Sequence, residues 1–136
     1  MIKSKFFVLV PFLLVGCQSP IDDMINNKFT SITPESPSQQ SVGLWTGSMG
    51  PYLVTIKLDQ NGTGNFCYSY ATSDVNQKIK FSNNQIYIQD GTKFSLECVD
   101  RNSIQLNAKY GFGQKTTLYS DNNFKEASSF CADKLR

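Results

Sequence analysis

Histidine is absent from all 136 residues, which removes the commonest general acid–base group, the usual hydrolase triads and most catalytic zinc sites. Tryptophan occurs once, at Trp45. No apolar run approaches the roughly 20 residues that a membrane-spanning helix needs. Net charge is also scarce. With Lys3 and Lys5 at the extreme N-terminus set aside, the basic residues fall from 13 to 11 and equal the 11 acidic ones. There is then no electrostatic case for nucleic acid or for a polybasic membrane patch. Gly-x-Ser-x-Gly elbows, phosphate loops and metal motifs are missing. Asp59, Asp90, Asp100 and Asp121 stand singly at turns, without the dense Asp-x-Asp-x-Asp-Gly spacing of a calcium loop. The expectation is a protein that is not an enzyme and holds no metal or cofactor.

What is present begins with Met1-Ile2-Lys3-Ser4-Lys5, an apolar run from Phe6 to Val15, and Gly16-Cys17. Two lysines ahead of about ten apolar residues predict a cleavable signal peptide over 1–16, because the charges stay cytoplasmic while the short apolar stretch enters the translocon. Leu14-Val15-Gly16-Cys17 resembles the bacterial lipobox. That resemblance implies acylation of the Cys17 thiol, cleavage just before it, and three acyl chains carried as diacylglycerol and palmitate. One chain binds a membrane only marginally, whereas three hold firmly. Gln18 follows the cysteine where an aspartate would favour inner-membrane retention, so the resemblance implies a lipid-anchored protein of the bacterial cell envelope, at the outer membrane.

Residues 17–41 read as the lipidated N-terminus and a flexible tether, polar and marked by Pro20, Pro34 and Pro37. Within them Ser19 to Phe29 carries a serine cap, a first-turn proline and Asp22-Asp23, so either a short helix or a frayed tether fits.

Over the domain at 42–136, short alternating runs separated by turn residues every ten or so positions predict an all-β sandwich or barrel. Eight strands are expected, at 43–48, 52–59, 63–71, 78–81, 85–89, 92–99, 103–110 and 115–120. Asn61-Gly62, Asn83-Asn84 and Asp90-Gly91 provide hairpin turns. The connections are short enough for a small eight-stranded antiparallel up-and-down barrel. About twenty inward positions, many of them large, argue for an interior more filled than hollow. Residues 121–133, with Asp121 as N-cap and Phe124, Ala127 and Cys131 at helical spacing, predict a short C-terminal helix.

With Cys17 acylated, Cys67, Cys98 and Cys131 remain. Strand parity puts Cys98 on the face of Phe94 and Leu96, where it reads as a buried, inert thiol, and puts Cys67 opposite the Phe66, Tyr68 and Tyr70 face. A Cys67–Cys131 disulfide is expected, with Cys67–Cys98 as the alternative. Gly43-Leu44-Trp45 resembles the Gly-x-Trp signature that opens lipocalin-like barrels. That resemblance implies a tryptophan closing one barrel end, although Trp45 could also contact a ligand. Tyr68, Tyr70, Tyr110 and Phe112 could line a barrel mouth near Gly111-Phe112-Gly113, or could serve only as core and rim.

The reading that unites these features is a membrane-anchored, non-catalytic binding module for a protein or small-molecule partner. The alternatives are a periplasmic inhibitor of a lytic enzyme, similar in design to the membrane-anchored lysozyme inhibitors but without their loop motif, and an accessory subunit of an envelope assembly.

Overall fold

Alternation along each strand, with turns that reverse it, closes the chain on itself in the computed structural model, which describes residues 28–108 and 114–136. The strands are β1 Gly43–Met49, β2 Tyr52–Leu58, β3 Thr63–Tyr70, β4 Ser73–Ser82, β5 Gln85–Ile88, β6 Lys93–Asp100, β7 Ser103–Ala108 and β8 Lys115–Ser120, and the helix α1 is Ser129–Leu135. Consecutive strands pair antiparallel, and β8 returns to β1 through Trp45↔Ser120 and Thr46↔Tyr119. The expected eight-stranded up-and-down barrel with a short C-terminal helix is the fold observed. The signal, Cys17, most of the Ser19–Phe29 stretch, and Tyr110 with the glycine loop lie outside the described residues.

Inward positions share one apolar cluster that includes Trp45, Ile56, Leu58, Ile79, Ile104 and Leu118. Each such side chain contributes roughly 1.5–3 kcal/mol when fully buried. A second, smaller cluster lies outside the sheet, where α1 covers Cys67 with Cys131 and Leu135. There a Cys67–Cys131 disulfide joins residues 64 apart. It is the expected pairing, and Cys98 is left as a free thiol.

The turns follow the expected chemistry. Asn83 and Asn84 both adopt positive φ, 51° and 58°, the pair of left-handed residues that a tight hairpin needs. Asp90 and Asp100 accept the amide N–H two residues on, at 2.8 and 2.7 Å, as turn-forming carboxylates do.

Four expectations need correction. The C-terminal helix does not span 121–133. Phe124 has positive φ, which ends any helix begun at Asp121. The cap falls instead to Ser128, whose Oγ accepts the Cys131 N–H. Strand four runs Ser73–Ser82 rather than 78–81, because Gln77 occupies an inward position opposite Phe66 and hides the alternation. Cys98 faces inward as expected but is half-buried, not buried, because it lies near the strand end, with Ser38 Oγ 3.6 Å from its sulfur.

The fourth concerns the polar stretch before β1. Over residues 28–41 it is laid across one barrel end instead of hanging free. The Glu35 N–H donates to Phe81 O at 2.8 Å, and its carboxylate accepts from Ser82 Oγ and the Asn83 N–H. Gly62, with φ +87°, lets Glu35 pass so close that a Cβ there would collide with the Glu35 carbonyl. Lys80 Nζ donates to Phe29 O at 2.8 Å and lies 4.6 Å from the centre of the Phe29 ring. Pro37 and Ser41 are buried. Backbone contacts anchor the segment in place of the apolar area that it lacks.

Candidate functional site

A meander of eight strands has two ends. The end beneath residues 28–41 is closed, and Trp45 helps to seal it with Nε1–H donating to Ser41 O at 2.8 Å. At the other end, where β1 turns into β2, β3 into β4 and β5 into β6, the interior opens into a wide-mouthed cavity of about 400 Å³. That is toward the small end of ligand-pocket sizes.

Buried apolar side chains from four strands form its deeper wall: Val54, Phe66, Ile88 and Phe94. Aromatic rings then climb outward without a break. Phe94 stacks on Phe66 at 5.9 Å with an interplanar angle of 14°, Phe66 meets the Tyr68 edge at 6.0 Å, Tyr68 meets Tyr52 at 5.2 Å, and Tyr52 meets Tyr70 at 5.3 Å. The series runs from a nearly buried ring to Tyr70, which is 48% exposed. Such a ladder presents π faces and edges at every depth. Three polar groups interrupt the apolar wall, Gln77 on β4 and Asp90 and Thr92 on the β5–β6 turn. The Gln77 Oε1 is buried with no hydrogen-bond partner among the described residues. An orphaned acceptor of this kind costs roughly 1–3 kcal/mol.

Tyr68 lines the cavity, and Tyr70 stands at its rim against Tyr52. Trp45 does not line it. Tyr110 and Phe112 lie outside the described residues, though β7 and β8, the strands on either side of them, end and begin here, with Ala108 paired to Phe94. Sequence reasoning missed Met49, Tyr52, Phe66, Gln77, Asp90, Thr92 and Phe94 as members of one site. Their shared signal is position: each points inward in the last turns of a strand at the same barrel end, or sits in the hairpin there. A second groove, of about 330 Å³, runs outside the barrel between Phe29 and β3–β4, where Lys80 is already engaged with Phe29. It belongs to the docking of residues 28–41.

Among the described residues no group of three or more His, Cys, Asp or Glu side chains is placed to hold a metal ion, and no helix is long and apolar enough to cross a membrane. The mouth offers aromatic surface, one deep acceptor on Gln77 and the Asp90 carboxylate at its rim.

Comparison with curated proteins and with solved structures gave no match. The family model described as "Bacterial lipocalin LPS transport optimiser YedD" matches residues 26–135. That span takes in the docked segment, all eight strands and α1, so the chain belongs to this bacterial lipocalin family.

Proposed function

We propose that this chain is a lipid-anchored, non-catalytic binding module of the bacterial envelope that assists lipopolysaccharide transport, the role stated in its family's description. The observation that carries the reading is the barrel's asymmetry: one end is sealed by Trp45 and residues 28–41, and the other opens into an aromatic cavity. A barrel filled at one end and open at the other presents a concave aromatic surface to a partner.

On this reading residues 1–16 are removed as a signal, Cys17 carries the acyl chains, and Gln18 directs the product to the outer membrane. Ten residues, 18–27, lie between Cys17 and the docked segment, a contour of at most about 35 Å. The docked segment lies over the closed end, so the anchor is attached on the side opposite the mouth. Its volume suits one apolar group of a ligand or partner better than a whole multi-chain lipid, which favours action on the transport apparatus over carriage of the lipid itself.

Complementation tests the proposal. In cells lacking the chain, the wild type is expected to restore the rate at which newly made lipopolysaccharide reaches the surface. Cys17→Ser, or Tyr52→Ala combined with Tyr68→Ala, is expected to leave it unrestored at equal protein level. Full restoration by either variant would refute the corresponding half of the proposal.

A further inference from the structure

Gln77 is the residue in the mouth that packing does not explain. It sits inward on β4, paired with Phe66 and sharing the cavity wall with Ile88 and Phe94, at a position where leucine would bury apolar surface without penalty. Its amide oxygen is withdrawn from water and receives no donor from the described residues. A buried acceptor left unpaired destabilises the empty barrel, and it strengthens binding of whatever brings an O–H or N–H to it. The surrounding rings set the rest of the ligand: Phe66 and Phe94 lie nearly parallel, and Tyr52 and Tyr68 meet edge to face above them. At the rim the Asp90 carboxylate, one oxygen of which is held by the Thr92 N–H at 2.8 Å, repels anions.

Resting on the reading of the mouth as the binding site, we infer that Gln77 makes it selective for an uncharged or cationic aromatic group that carries its own hydrogen-bond donor, as a phenol or an indole does. The ring stacks within the aromatic ladder, a turn of the half-buried Gln77 side chain brings its oxygen to the donor, and the Asp90 carboxylate at the rim disfavours phosphates and carboxylates. A site built around a buried acceptor discriminates strongly against an isostere without the donor, because that isostere leaves the acceptor unpaired.

The test uses a matched pair of probes, 2-naphthol and 2-methoxynaphthalene, which share a ring system and differ in the donor. The protein is the full mature chain carrying Cys17→Ser, so that no bilayer competes for the probe. Calorimetric titration is expected to show 2-naphthol binding about tenfold more tightly, and 2-naphthoate, an anion, binding far more weakly than either. Gln77→Leu is expected to bring the two neutral probes to near-equal affinity while raising the melting temperature, a combination that a purely structural glutamine would not give. Free molecules and a partner's tyrosine side chain share this chemistry. Displacement of 2-naphthol by N-acetyltyrosinamide assigns the site to a protein side chain, and its failure to displace restricts the site to free aromatics. Equal affinities for the two neutral probes in the wild type, or unchanged discrimination in Gln77→Leu, would overturn the role of Gln77 alone. No binding of either probe would instead overturn the reading of the mouth as a binding site.

Discussion

Asp121 shows how one carboxylate can organise a stretch of chain that has no regular structure. It is 6% exposed. It accepts the Thr46 hydroxyl at 2.9 Å, the Lys125 N–H at 2.8 Å and the Ala127 N–H at 3.1 Å, and also the Glu126 N–H. Thr46 in turn shares a hydrogen bond with Thr55 at 2.8 Å, so the carboxylate ties the C-terminal segment to two strands. Asp121→Ala would remove the acceptor of the buried Thr46 hydroxyl and of three part-buried amides and should destabilise the fold by about 2–4 kcal/mol. Asp121→Asn should lose less, since it keeps an acceptor. Thermal melts of the two variants decide this, and equal melting temperatures for wild type and Asp121→Ala would contradict it. Read in sequence, Asp121 looks like an ordinary helix cap, because a cap and a loop clamp use the same acceptor and differ only in where the following amides fold. Gln77 was illegible for a related reason. A polar residue at an inward position reads as a break in a strand until the register is known, so the residue that best characterises the site also concealed the strand carrying it.

At the scale of elements, α1 is only seven residues long, too short to persist alone in water. It is held by the Cys67–Cys131 bond, by the small cluster of Cys67, Cys131 and Leu135 with Leu44 and Phe124 packed against it, and by Ser69 Oγ to Ser128 Oγ at 2.8 Å. Chain-entropy reasoning gives a bridge closing a loop of this length about 4 kcal/mol. Replacing both cysteines by alanine should therefore release residues 128–136 before the barrel opens. Hydrogen exchange is expected to show protection lost first along α1, with β5–β7 unchanged. Uniform loss across all strands would show that the bond supports the whole barrel instead. Parity made this bridge legible, since alternation along β3 and β6 put Cys67 and Cys98 on opposite faces. The docking of residues 28–41 was not legible. It rests on the backbone of Glu35 passing Gly62 and Phe81, and a polar, proline-bearing composition carries no trace of such contacts.

For the whole molecule, hydrophobic alternation and turn residues were enough to indicate an eight-stranded closed meander, because each short connection left its strand only one neighbour to join. They could not indicate which end is open. That depends on where a segment outside the sheet crosses the barrel and on how deeply each inward ring reaches, neither of which is written in strand periodicity. The asymmetry that results is the central claim: the interior is sealed beneath residues 28–41 and works through the mouth formed by Tyr52, Tyr68 and Gln77. Its most direct test places a photoactivatable amino acid at Tyr52 or Tyr70 in the mouth, and at Glu35 over the closed end, in living cells. Adducts with lipopolysaccharide or with components of its transport should form from the mouth positions and not from position 35. Adducts confined to position 35 would contradict the account.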